Sequence, residues 1–407
     1  MEKMVSLDRA QEIIMAETAA ISTETIEIRR ANNRILAQDT PSYVSLPSAR
    51  TSYRDGYALK SSDSGPGKKL KLSGKVFAGN PRTDPVENGE AVWIATGAVV
   101  PEDVDAVVDE EKVVVQGKTI ELSEKVEPGQ NLLAEAQEFA KGEVLLPKGT
   151  LLSSRELSLL IAGGYFEVEV IRKPRLWVLA VGDELRHPGT VTRPGQVYPS
   201  AGWLVAMRSE EMGCSLGRVL LAEDAPEALI EAIPGKAEAD LVITVGGTGV
   251  GRKDIIVESL EQISARVVFQ GVKIRPAHST IFSKRDGQII FSLPGRVSAA
   301  EIGFELMVRP AILKLQAKPA EEFTLISART GKDLEGVKDH RHIYRGKLEN
   351  KNGEFWVEPL RRKSWHHEIA EADGYIMVKE NTKPAHVGDP VSFMMHPRRL
   401  AKFFPKP

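Results

Sequence analysis

Several features that define specialised protein classes are scarce in this sequence of 407 residues. The single cysteine, Cys214, cannot form an internal disulfide, and there is no cysteine cluster for a structural zinc ion or an iron–sulfur centre. The formal net charge is only -2, so no long-range field favours a nucleic-acid partner. No run approaches the ~18 apolar residues of a membrane span, and charged residues interrupt the N-terminal segment where a signal peptide would lie. We therefore expect a cytoplasmic globular protein.

The composition that remains, 42% hydrophobic and 27% charged residues, is typical of globular domains. At roughly 150 residues per domain, the length predicts two to four domains. Helical and short-strand patterns in residues 1–40 and 140–172 predict a linker and dimerisation domain built from two segments. Between them, residues 41–139 contain short alternating runs separated by Gly, Pro, Asn and Asp, which predicts a β-rich domain.

The pattern changes in residues 173–317, where apolar strands alternate with amphipathic helices. Strands without polar alternation are typical of a parallel sheet that is covered on both faces, so we expect a doubly wound α/β domain. Residues 318–407 return to alternating runs and contain a hairpin turn at Lys351, Asn352 and Gly353. The sequence thus predicts an α/β multidomain protein that ends in a β-barrel-like domain.

A glycine-rich turn follows the strand DLVITV in the α/β region. In an open parallel sheet, ligands bind outside the carboxyl ends of the strands. Glycines let the backbone approach an oxyanion, and the amides at a helix start favour phosphate. A tight turn that needs positive φ angles explains this motif equally well when it is considered alone. The candidate phosphate-binding residues are Gly246, Gly247, Thr248, Gly249 and Gly251.

Other strand ends in this region carry carboxylates and bases. Asp183 and Glu184 follow the strand RLWVLAV, where they would bind a divalent cation or a ligand amine, or else cap the next turn. Three bases, Lys273, Arg275 and His278, precede Ser279 near a further strand end. An anion-binding helix start is expected after QIIFSL. Its candidate residues are Pro294, Gly295, Arg296 and Ser298. Together these groups predict a phosphorylated ligand with a bound metal.

Several further residues have simpler interpretations. Asp55 with Gly56, and Thr96, lie in turn-like positions of the β-rich region, and taken alone they indicate ordinary hairpin turns. The pairs His340 with His342 and His366 with His367 lack a Cys or carboxylate framework, so a solvated face is favoured over a metal site. There is no Walker A motif, which argues against P-loop NTPases.

Eight short motifs occur in a characteristic order along nearly the whole chain. They are RDGYA at 54–58, TGA at 96–98, DAVVDEE, GQN at 129–131, GDEL, GQVY, GGTGVGRKD and SLPG. In this order and with these separations the sequence resembles the molybdopterin molybdenumtransferase family, the MoeA and gephyrin E-domain proteins. The resemblance implies an elongated homodimer of four domains whose α/β domain binds molybdopterin, with proteins of the cofactor pathway as further partners.

The reaction that the resemblance implies inserts molybdate into the dithiolene of adenylylated molybdopterin and releases AMP, with Mg²⁺ present. The substrates would be molybdopterin and molybdate. The family's active site lies between the α/β domain of one subunit and the β-rich domain of the other. By resemblance, the catalytic residues are Asp55, Thr96, Glu184 and Asp254, and Glu184 and Asp254 would also bind the metal or the pterin.

The sequence departs from the family at several basic positions. The family segment KPGKP aligns with residues 275–279, so its two lysines become Arg275 and His278, followed by Ser279. A neutral imidazole is common near pH 7, whereas arginine is always charged. Additional cations occur at Arg54, Arg252 and Arg296.

Three interpretations follow from this mixture. A divergent transferase with a rearranged basic cluster is favoured by the four retained catalytic residues. A non-catalytic paralogue that binds a pterin, another nucleotide or a protein partner is favoured by the lost lysines. A sugar or nucleotide phosphotransferase would explain the glycines but not the motifs of the β-rich region.

Overall fold

The computed structural model describes residues 1–248, 253–320, 323–335, 338–360, 364–396, 399 and 403, with residues 253 and 254 described by their backbone only. The chain divides into two compact units. One comprises Met1–Thr23 and Ile171–Pro407, and the other comprises Glu24–Val170.

The α-helices in the described residues are short and are distributed over both units. Ser6 caps the first helix by accepting a hydrogen bond from the Arg9 amide, and Ser153 with Glu156 forms a capping box at the second, as expected for serine at these positions. None of the described helices is long and apolar enough to cross a membrane. The helices are α1 (Leu7–Glu17), α2 (Ser154–Ala162), α3 (Ser200–Glu211), α4 (Pro226–Ala232), α5 (Lys253–Gln262), α6 (Val297–Gly303), α7 (Arg309–Leu315) and α8 (Trp365–Glu371).

The strands form three larger sheets and three two-stranded ribbons. They are β1 (Glu2–Val5), β2 (Thr23–Glu27), β3 (Thr40–Pro41), β4 (Thr51–Ser52), β5 (Gly56–Leu59), β6 (Lys69–Val76), β7 (Glu90–Ile94), β8 (Ala106–Asp109), β9 (Val113–Gln116), β10 (Thr119–Leu122), β11 (Leu132–Leu133), β12 (Val144–Leu146), β13 (Glu167–Ile171), β14 (Arg175–Val181), β15 (Ser215–Ala222), β16 (Leu241–Val245), β17 (Arg266–Val272), β18 (Ile274–Arg275), β19 (Ile281–Arg285), β20 (Gln288–Leu293), β21 (Thr324–Thr330), β22 (Arg341–Lys351), β23 (Glu354–Pro359), β24 (Gly374–Val378) and β25 (Pro390–Met395).

The sheet of the first unit has seven strands in the order β1-β17-β19-β20-β16-β14-β15. Strands β20, β16, β14 and β15 are parallel, as the apolar runs predict. The prediction of a parallel sheet misses β19, which runs antiparallel to β17 and β20. The reason is the tight turn at Asp286 and Gly287, both at positive φ, which reverses the chain directly into β20.

Two hydrophobic cores cover the opposite faces of this sheet. Val178 and Ile243 pack on one face with residues of α1, α3, α6 and α7. Leu179 and Val242, their sequence neighbours, point to the other face and pack with residues of α4 and α5. Burying one such side chain stabilises the fold by about 1.5–3 kcal/mol. The doubly wound α/β architecture therefore follows from strands that are apolar at successive positions.

The first residues of the chain belong to this α/β unit. Strand β1 pairs in parallel with β17 at the edge of the sheet, and Ala10 and Ile14 of α1 are buried in its core. Residues 1–23 thus cluster with the α/β sheet, whereas the sequence pattern grouped residues 1–40 with residues 140–172. A parallel pairing between the chain start and a strand more than 260 residues later leaves no local signal.

Strands β21–β25 close into a five-stranded barrel, because β22 pairs with both β23 and β24. Asn352 and Gly353 form the turn between β22 and β23 at positive φ, as predicted. The barrel contacts the α/β domain through buried polar groups. The Arg345 guanidinium donates to the Glu301 carboxylate of α6, and the Tyr375 hydroxyl donates to the same carboxylate over 2.9 Å.

The second unit contains a six-stranded sheet in the order β8-β5-β7-β6-β10-β9. Gly56 begins the central strand β5, so the expected hairpin turn at Asp55 and Gly56 is wrong. The cause is packing between strands, since a Cβ at Gly56 would lie 2.1 Å from the Val108 carbonyl oxygen. Strands β2, β3, β12 and β13 and helix α2 surround a separate small core that includes Leu36, Leu160 and Val170.

A buried carboxylate anchors the start of the α/β sheet. The Asp240 side chain is fully buried and accepts hydrogen bonds of 2.6 and 2.7 Å from the Arg172 guanidinium. The Arg175 amide donates to it over 2.9 Å. Burial alone would raise the pKa of Asp240, but these hydrogen bonds outweigh it and hold the pKa well below its usual range. The carboxylate is therefore charged at neutral pH and stabilises the folded state.

Replacing Asp240 by Ala is expected to lower the free energy of unfolding by about 3 kcal/mol, because two guanidiniums lose their buried partner. Urea unfolding at pH 7, followed by circular dichroism, measures the loss. Since the folded-state pKa is depressed, the difference between wild type and variant should shrink as the pH falls through the acidic range. Glu238→Gln, at a nearby exposed position, is the matched control. Equal stability of Asp240→Ala and wild type would contradict this role.

Candidate active site

A cavity of about 690 Å³ opens at the carboxyl ends of β14 and β16, where an open α/β sheet binds ligands. Its lining includes Gly182 and Glu184 after β14, and Gly246, Gly247 and Thr248 after β16. Residues from the N-terminus of α3, from the turn after β20 and from the start of α8 complete the walls. They are Ser200, Gly295, Arg296, Trp365 and His366. The structure thus brings together strand ends that the sequence analysis selected separately.

Glycines form the floor of this cavity because the backbones approach too closely for side chains. A Cβ at Gly246, which has φ +113°, would lie 2.2 Å from the Val181 carbonyl oxygen. A Cβ at Gly295 would lie 3.2 Å from the Gly246 Cα. The amides of Gly182 and Gly246 donate to the carbonyls of Ala222 and Leu293, so they are occupied within the protein. These two glycines therefore serve close packing.

Only part of the predicted phosphate-binding turn is described. Gly246, Gly247 and Thr248 line the cavity, whereas Gly249, Gly251 and Arg252 lie outside the described residues, as does the side chain of Asp254. The Thr248 hydroxyl lies 3.0 Å from the Ser279 hydroxyl, and both side chains are buried. Ser279 therefore ties the glycine turn to the segment that follows β18.

Asp183 and Glu184 have different surroundings. The Asp183 carboxylate accepts a hydrogen bond of 3.0 Å from the Asp224 amide, so its observed partner lies after β15 and not in the next turn, where the capping interpretation expected it. Glu184 is exposed at the cavity, and within the described residues its carboxylate has no hydrogen bond or ion pair. A Cβ at Gly182 would come within 2.6 Å of this carboxylate, so glycine makes room for it. Glu184 is thereby available to a ligand.

The residues after β20 divide between the cavity and the core. Gly295 and Arg296 line the cavity, while Pro294 is half-buried beside them. Ser298 does not line it: the residue is buried in α6, and its carbonyl accepts a hydrogen bond from Arg345 over 2.5 Å. The Arg296 guanidinium lies 5.4 Å from the ring centre of Trp365.

A second cleft of about 470 Å³ is lined by basic and aromatic groups. The parallel pairing of β18 with β22 places Arg275 beside His342. Lys273 is exposed but does not line this cleft. Among the described residues none of the lining side chains is acidic. The lining consists of Arg275, Pro276, His278, His340, His342, Ile343 and Tyr344.

The histidines of this cleft are held in a defined arrangement. His342 Nδ1 lies 3.0 Å from the Tyr344 hydroxyl, which in turn donates to the Glu335 carbonyl over 2.8 Å. Burial lowers the pKa of His342, and the positive charge of Arg275 lowers it further. His342 is therefore mainly neutral at pH 7 and gains a proton when an anion or a lower pH compensates. The cleft has the chemistry of an oxyanion site whose charge depends on pH.

Asp55 and Thr96 are in direct contact within the second unit. The Asp55 carboxylate accepts hydrogen bonds from the Thr96 amide at 2.7 Å and from its hydroxyl at 2.8 Å. The bond from the Thr96 amide, followed by that from the hydroxyl, lowers the pKa of Asp55. The neighbouring Arg54 lies 3.6 Å from the Asp109 carboxylate. Asp55 is thus an exposed, ionised group whose orientation is fixed.

Both sites include residues of the C-terminal domain that were not predicted from the sequence. His340, His342 and His366 were expected on a solvated face, whereas the structure places the first two in the basic cleft and His366 in the cavity wall. Trp365 was not selected at all. The histidine pairs were the available signal, but their partners become visible only through the pairing of β18 with β22 and the packing of α8. Within the described residues there is no cluster of three or more His, Cys, Asp or Glu suited to a metal.

Comparison with known proteins identifies the family. Three family models match: the MoeA N-terminal region (domain I and II) over residues 5–164, a probable molybdopterin binding domain over residues 177–314, and the MoeA C-terminal region (domain IV) over residues 327–395. The molybdopterin molybdenumtransferase of Haemophilus influenzae is 35% identical over 318 residues, which cover 77% of this chain and 78% of that protein. The chain belongs to the molybdopterin molybdenumtransferase family.

Further relatives extend the similarity over almost the whole chain. The molybdopterin molybdenumtransferase of Staphylococcus epidermidis is 29% identical over 399 residues, covering 96% of this chain and 95% of that protein. The crystal structure of a molybdopterin biosynthesis MoeA protein from Pyrococcus horikoshii superposes with a TM-score of 0.83 at 26% identity, covering 96% and 99% of the two chains. The family resemblance and the fold class expected from the sequence are thereby confirmed. The relatives carry the name of a transferase, so a non-catalytic paralogue is not favoured.

Replacing Gly246 by Ala is expected to distort the cavity floor, because a Cβ would collide with the Val181 carbonyl. Backbone strain of this kind lowers the free energy of unfolding by about 1–3 kcal/mol. Thermal unfolding followed by tryptophan fluorescence measures the effect. Gly235→Ala is the matched control, since a Cβ there meets nothing within 4 Å. An unchanged melting temperature for Gly246→Ala would refute the packing role.

Proposed function

We propose that this protein is a molybdopterin molybdenumtransferase that inserts molybdate into the dithiolene of adenylylated molybdopterin and releases AMP. The observation that carries the proposal is the Thr248–Ser279 hydrogen bond, which ties the glycine-floored cavity to the segment bearing the basic cleft. The cavity suits a nucleotide or a pterin, and the basic cleft suits an oxyanion. A transferase that joins these two substrates needs both sites on one connected framework.

The cavity is the proposed binding site for the phosphorylated pterin. Its volume of about 690 Å³ lies in the range usual for small-molecule sites, roughly 300–1,000 Å³. Gly247 and Thr248 would meet the phosphate, and Arg296 would add a positive charge at the rim. Gly249, Gly251 and Asp254 are assigned to this site on the strength of the family motif alone.

Molybdate is proposed to bind in the basic cleft. Arg275 supplies a permanent charge and two or more hydrogen-bond donors, which suit a tetrahedral oxyanion. His278, His340 and His342 would supply further donors when protonated. Arg275 and His278 take the place of the two lysines usual in the family, so one fixed charge remains and the other is replaced by an imidazole.

A magnesium ion is also part of the proposal, and the residues fit it. The described residues contain no preformed cluster of three metal ligands, but Mg²⁺ commonly binds through one or two carboxylates together with substrate phosphates and water. Glu184 would hold the ion, and Asp254 is the second candidate. Such a cation supplies charge neutralisation on the phosphate that leaves.

The active assembly is proposed to be a cytoplasmic homodimer with four domains per subunit, divided at the boundaries expected from the sequence except that residues 1–23 join the α/β domain. Exposed apolar side chains on the second unit, including Tyr43, Val44, Ile161 and Phe166, support a covered surface there. The proposal also makes Asp55 and Thr96 part of the catalytic machinery. Cofactor-pathway proteins that deliver adenylylated molybdopterin or receive the product are the expected protein partners.

The proposed reaction predicts molybdate-dependent AMP release from adenylylated molybdopterin and Mg²⁺. Asp55→Asn should reduce this turnover by about 100-fold, as is usual when a charged catalytic group is neutralised. The amide oxygen of Asn can still accept hydrogen bonds from Thr96, so the turn is retained. Chromatographic measurement of AMP tests both statements.

Asp84→Asn, an exposed position of the same unit, is the matched control and should turn over normally. Asp55→Ala separates charge from structure, because it also removes the two hydrogen bonds to Thr96. Full activity of Asp55→Asn together with loss in Asp55→Ala would leave Asp55 a purely structural role. No AMP from the wild-type protein would exclude the proposed reaction.

Molybdate affinity is expected to weaken as the pH rises from 6 to 8, since the lowered pKa of His342 leaves this imidazole neutral unless the bound anion favours its protonation. The decrease should reach about tenfold per pH unit for each proton taken up on binding. Equilibrium dialysis with radioactive molybdate measures it. The variant His342→Gln should bind molybdate more weakly and with a smaller pH dependence than wild type. His386→Gln, at an exposed position of the barrel, is the control and should behave like wild type. A wild-type affinity that does not change with pH would contradict molybdate binding in the basic cleft.

A further inference from the structure

Helix α8 contributes a wall of the cavity to which the proposed reaction assigns no role. Trp365 lines the cavity and is 46% exposed, which leaves a large aromatic surface facing the ligand space. An indole in such a position loses contact with water when a flat ring stacks on it. Its placement in the same cavity as the glycine turn suits a ligand that carries a ring at one end and a phosphate at the other.

Helix α8 is held firmly enough for this wall to be preformed. Glu368 is buried, and Ile369 packs against the hydrophobic core of the α/β domain. His366 Nε2 lies 2.9 Å from the Ser200 hydroxyl at the start of α3, across the cavity rim. The inward side of the helix is thus anchored, while Trp365 and His366 face the cavity.

Arg296 connects the aromatic wall with the glycine floor. It follows Gly295, whose backbone packs on Gly246, and its guanidinium lies 5.4 Å from the Trp365 ring centre. Within the described residues Arg296 has no ion pair, and its contact is with the indole ring. A guanidinium in this position can stack beside a bound ring and donate hydrogen bonds to a phosphate attached to it.

We propose that Trp365 and Arg296 bind the planar nitrogen heterocycle of the substrate, with the ring stacked on the indole and the guanidinium on the adjoining phosphate. Adenine and the pterin share this chemistry, and the experiment below distinguishes them. The identity of the substrate rests on the proposed function, whereas the stacking role rests on the cavity itself. These two residues would determine which flat ring the cavity accepts.

The test is equilibrium dialysis of the full-length protein with adenosine, AMP and neopterin. Trp365→Leu keeps apolar bulk without an aromatic face, so it should weaken binding of the stacked ring about tenfold, or 1.4 kcal/mol. Trp365→Phe should stay close to wild type. Arg296→Gln should weaken AMP more than adenosine, because only AMP carries a phosphate. Trp203→Leu is the matched control, since Trp203 is 38% exposed on α3 outside the cavity lining.

The ring that loses affinity in Trp365→Leu is the one that stacks, adenine if adenosine is affected and the pterin if neopterin is. The proposal is overturned if wild type binds neither ring, or if Trp365→Leu binds both as Trp203→Leu does. Molybdate-dependent AMP release by the same preparations separates the two claims. If wild type releases AMP but Trp365→Leu binds the rings normally, the stacking role is wrong and the proposed reaction stands. If ring binding depends on Trp365 but wild type releases no AMP, the proposed reaction is wrong and the stacking role stands.

Discussion

The close approach of the strand ends β14, β16 and β20 is the constraint on which the α/β site depends. Parallel strands that lie side by side deliver their connecting turns to the same edge, and those turns then compete for space. Glycine is required at this edge, because the Val181 carbonyl and the backbones of Gly246 and Gly295 occupy the volume that side chains would need. The resulting floor is bare backbone, surrounded by longer side chains on its rim. The cavity is thus a direct consequence of sheet geometry, and its chemistry is decided by what the rim supplies: Glu184 on one side and Arg296 on another.

The cavity rim and the neighbouring basic cleft carry local electrostatic fields although the net charge of the chain is close to zero. The overall charge is -2, yet the cleft beside β18 contains an arginine and three histidines with no acidic side chain among its described lining. Arginine keeps its charge in any protein environment, whereas each imidazole responds to burial and to its neighbours. Replacing one of two lysines by a histidine therefore changes the character of an anion site more than its location. The electrostatic strength of the site becomes a function of pH and of the bound anion, since binding an anion itself favours protonation.

Features of this molecule that depend on neighbouring residues could be predicted from the sequence, whereas features that depend on contacts between distant segments could not. The caps at Ser6 and Ser153, the turn at Asn352 and Gly353 and the apolar strands of the α/β sheet follow from local patterns, and the structure contains them. The strand ends Glu184, Gly246 and Arg296 could be selected because parallel topology brings such positions together. Strand β1, the reversed β19 and the partners of His340 and His342 could not, since they depend on pairings between distant segments that leave no periodicity. Gly56 illustrates the opposite error, in which a good local turn signal yields to packing against Val108 in the sheet.

The two sites of the α/β unit also depend on how the barrel is joined to the sheet. Barrel strand β22 supplies His342 to the cleft, and α8, which lies between two barrel strands in sequence, supplies Trp365 to the cavity. The joint is polar, because the Arg345 guanidinium and the Tyr375 hydroxyl of the barrel converge on the Glu301 carboxylate of α6. A buried charge pair gives little net stability compared with an apolar contact, but a displaced partner would leave a buried charge unpaired. Such a joint permits few relative positions of the two surfaces. That restriction holds the histidines beside Arg275 and the indole beside Arg296 before any ligand arrives, which is the preorganisation that a binding site built from two domains requires.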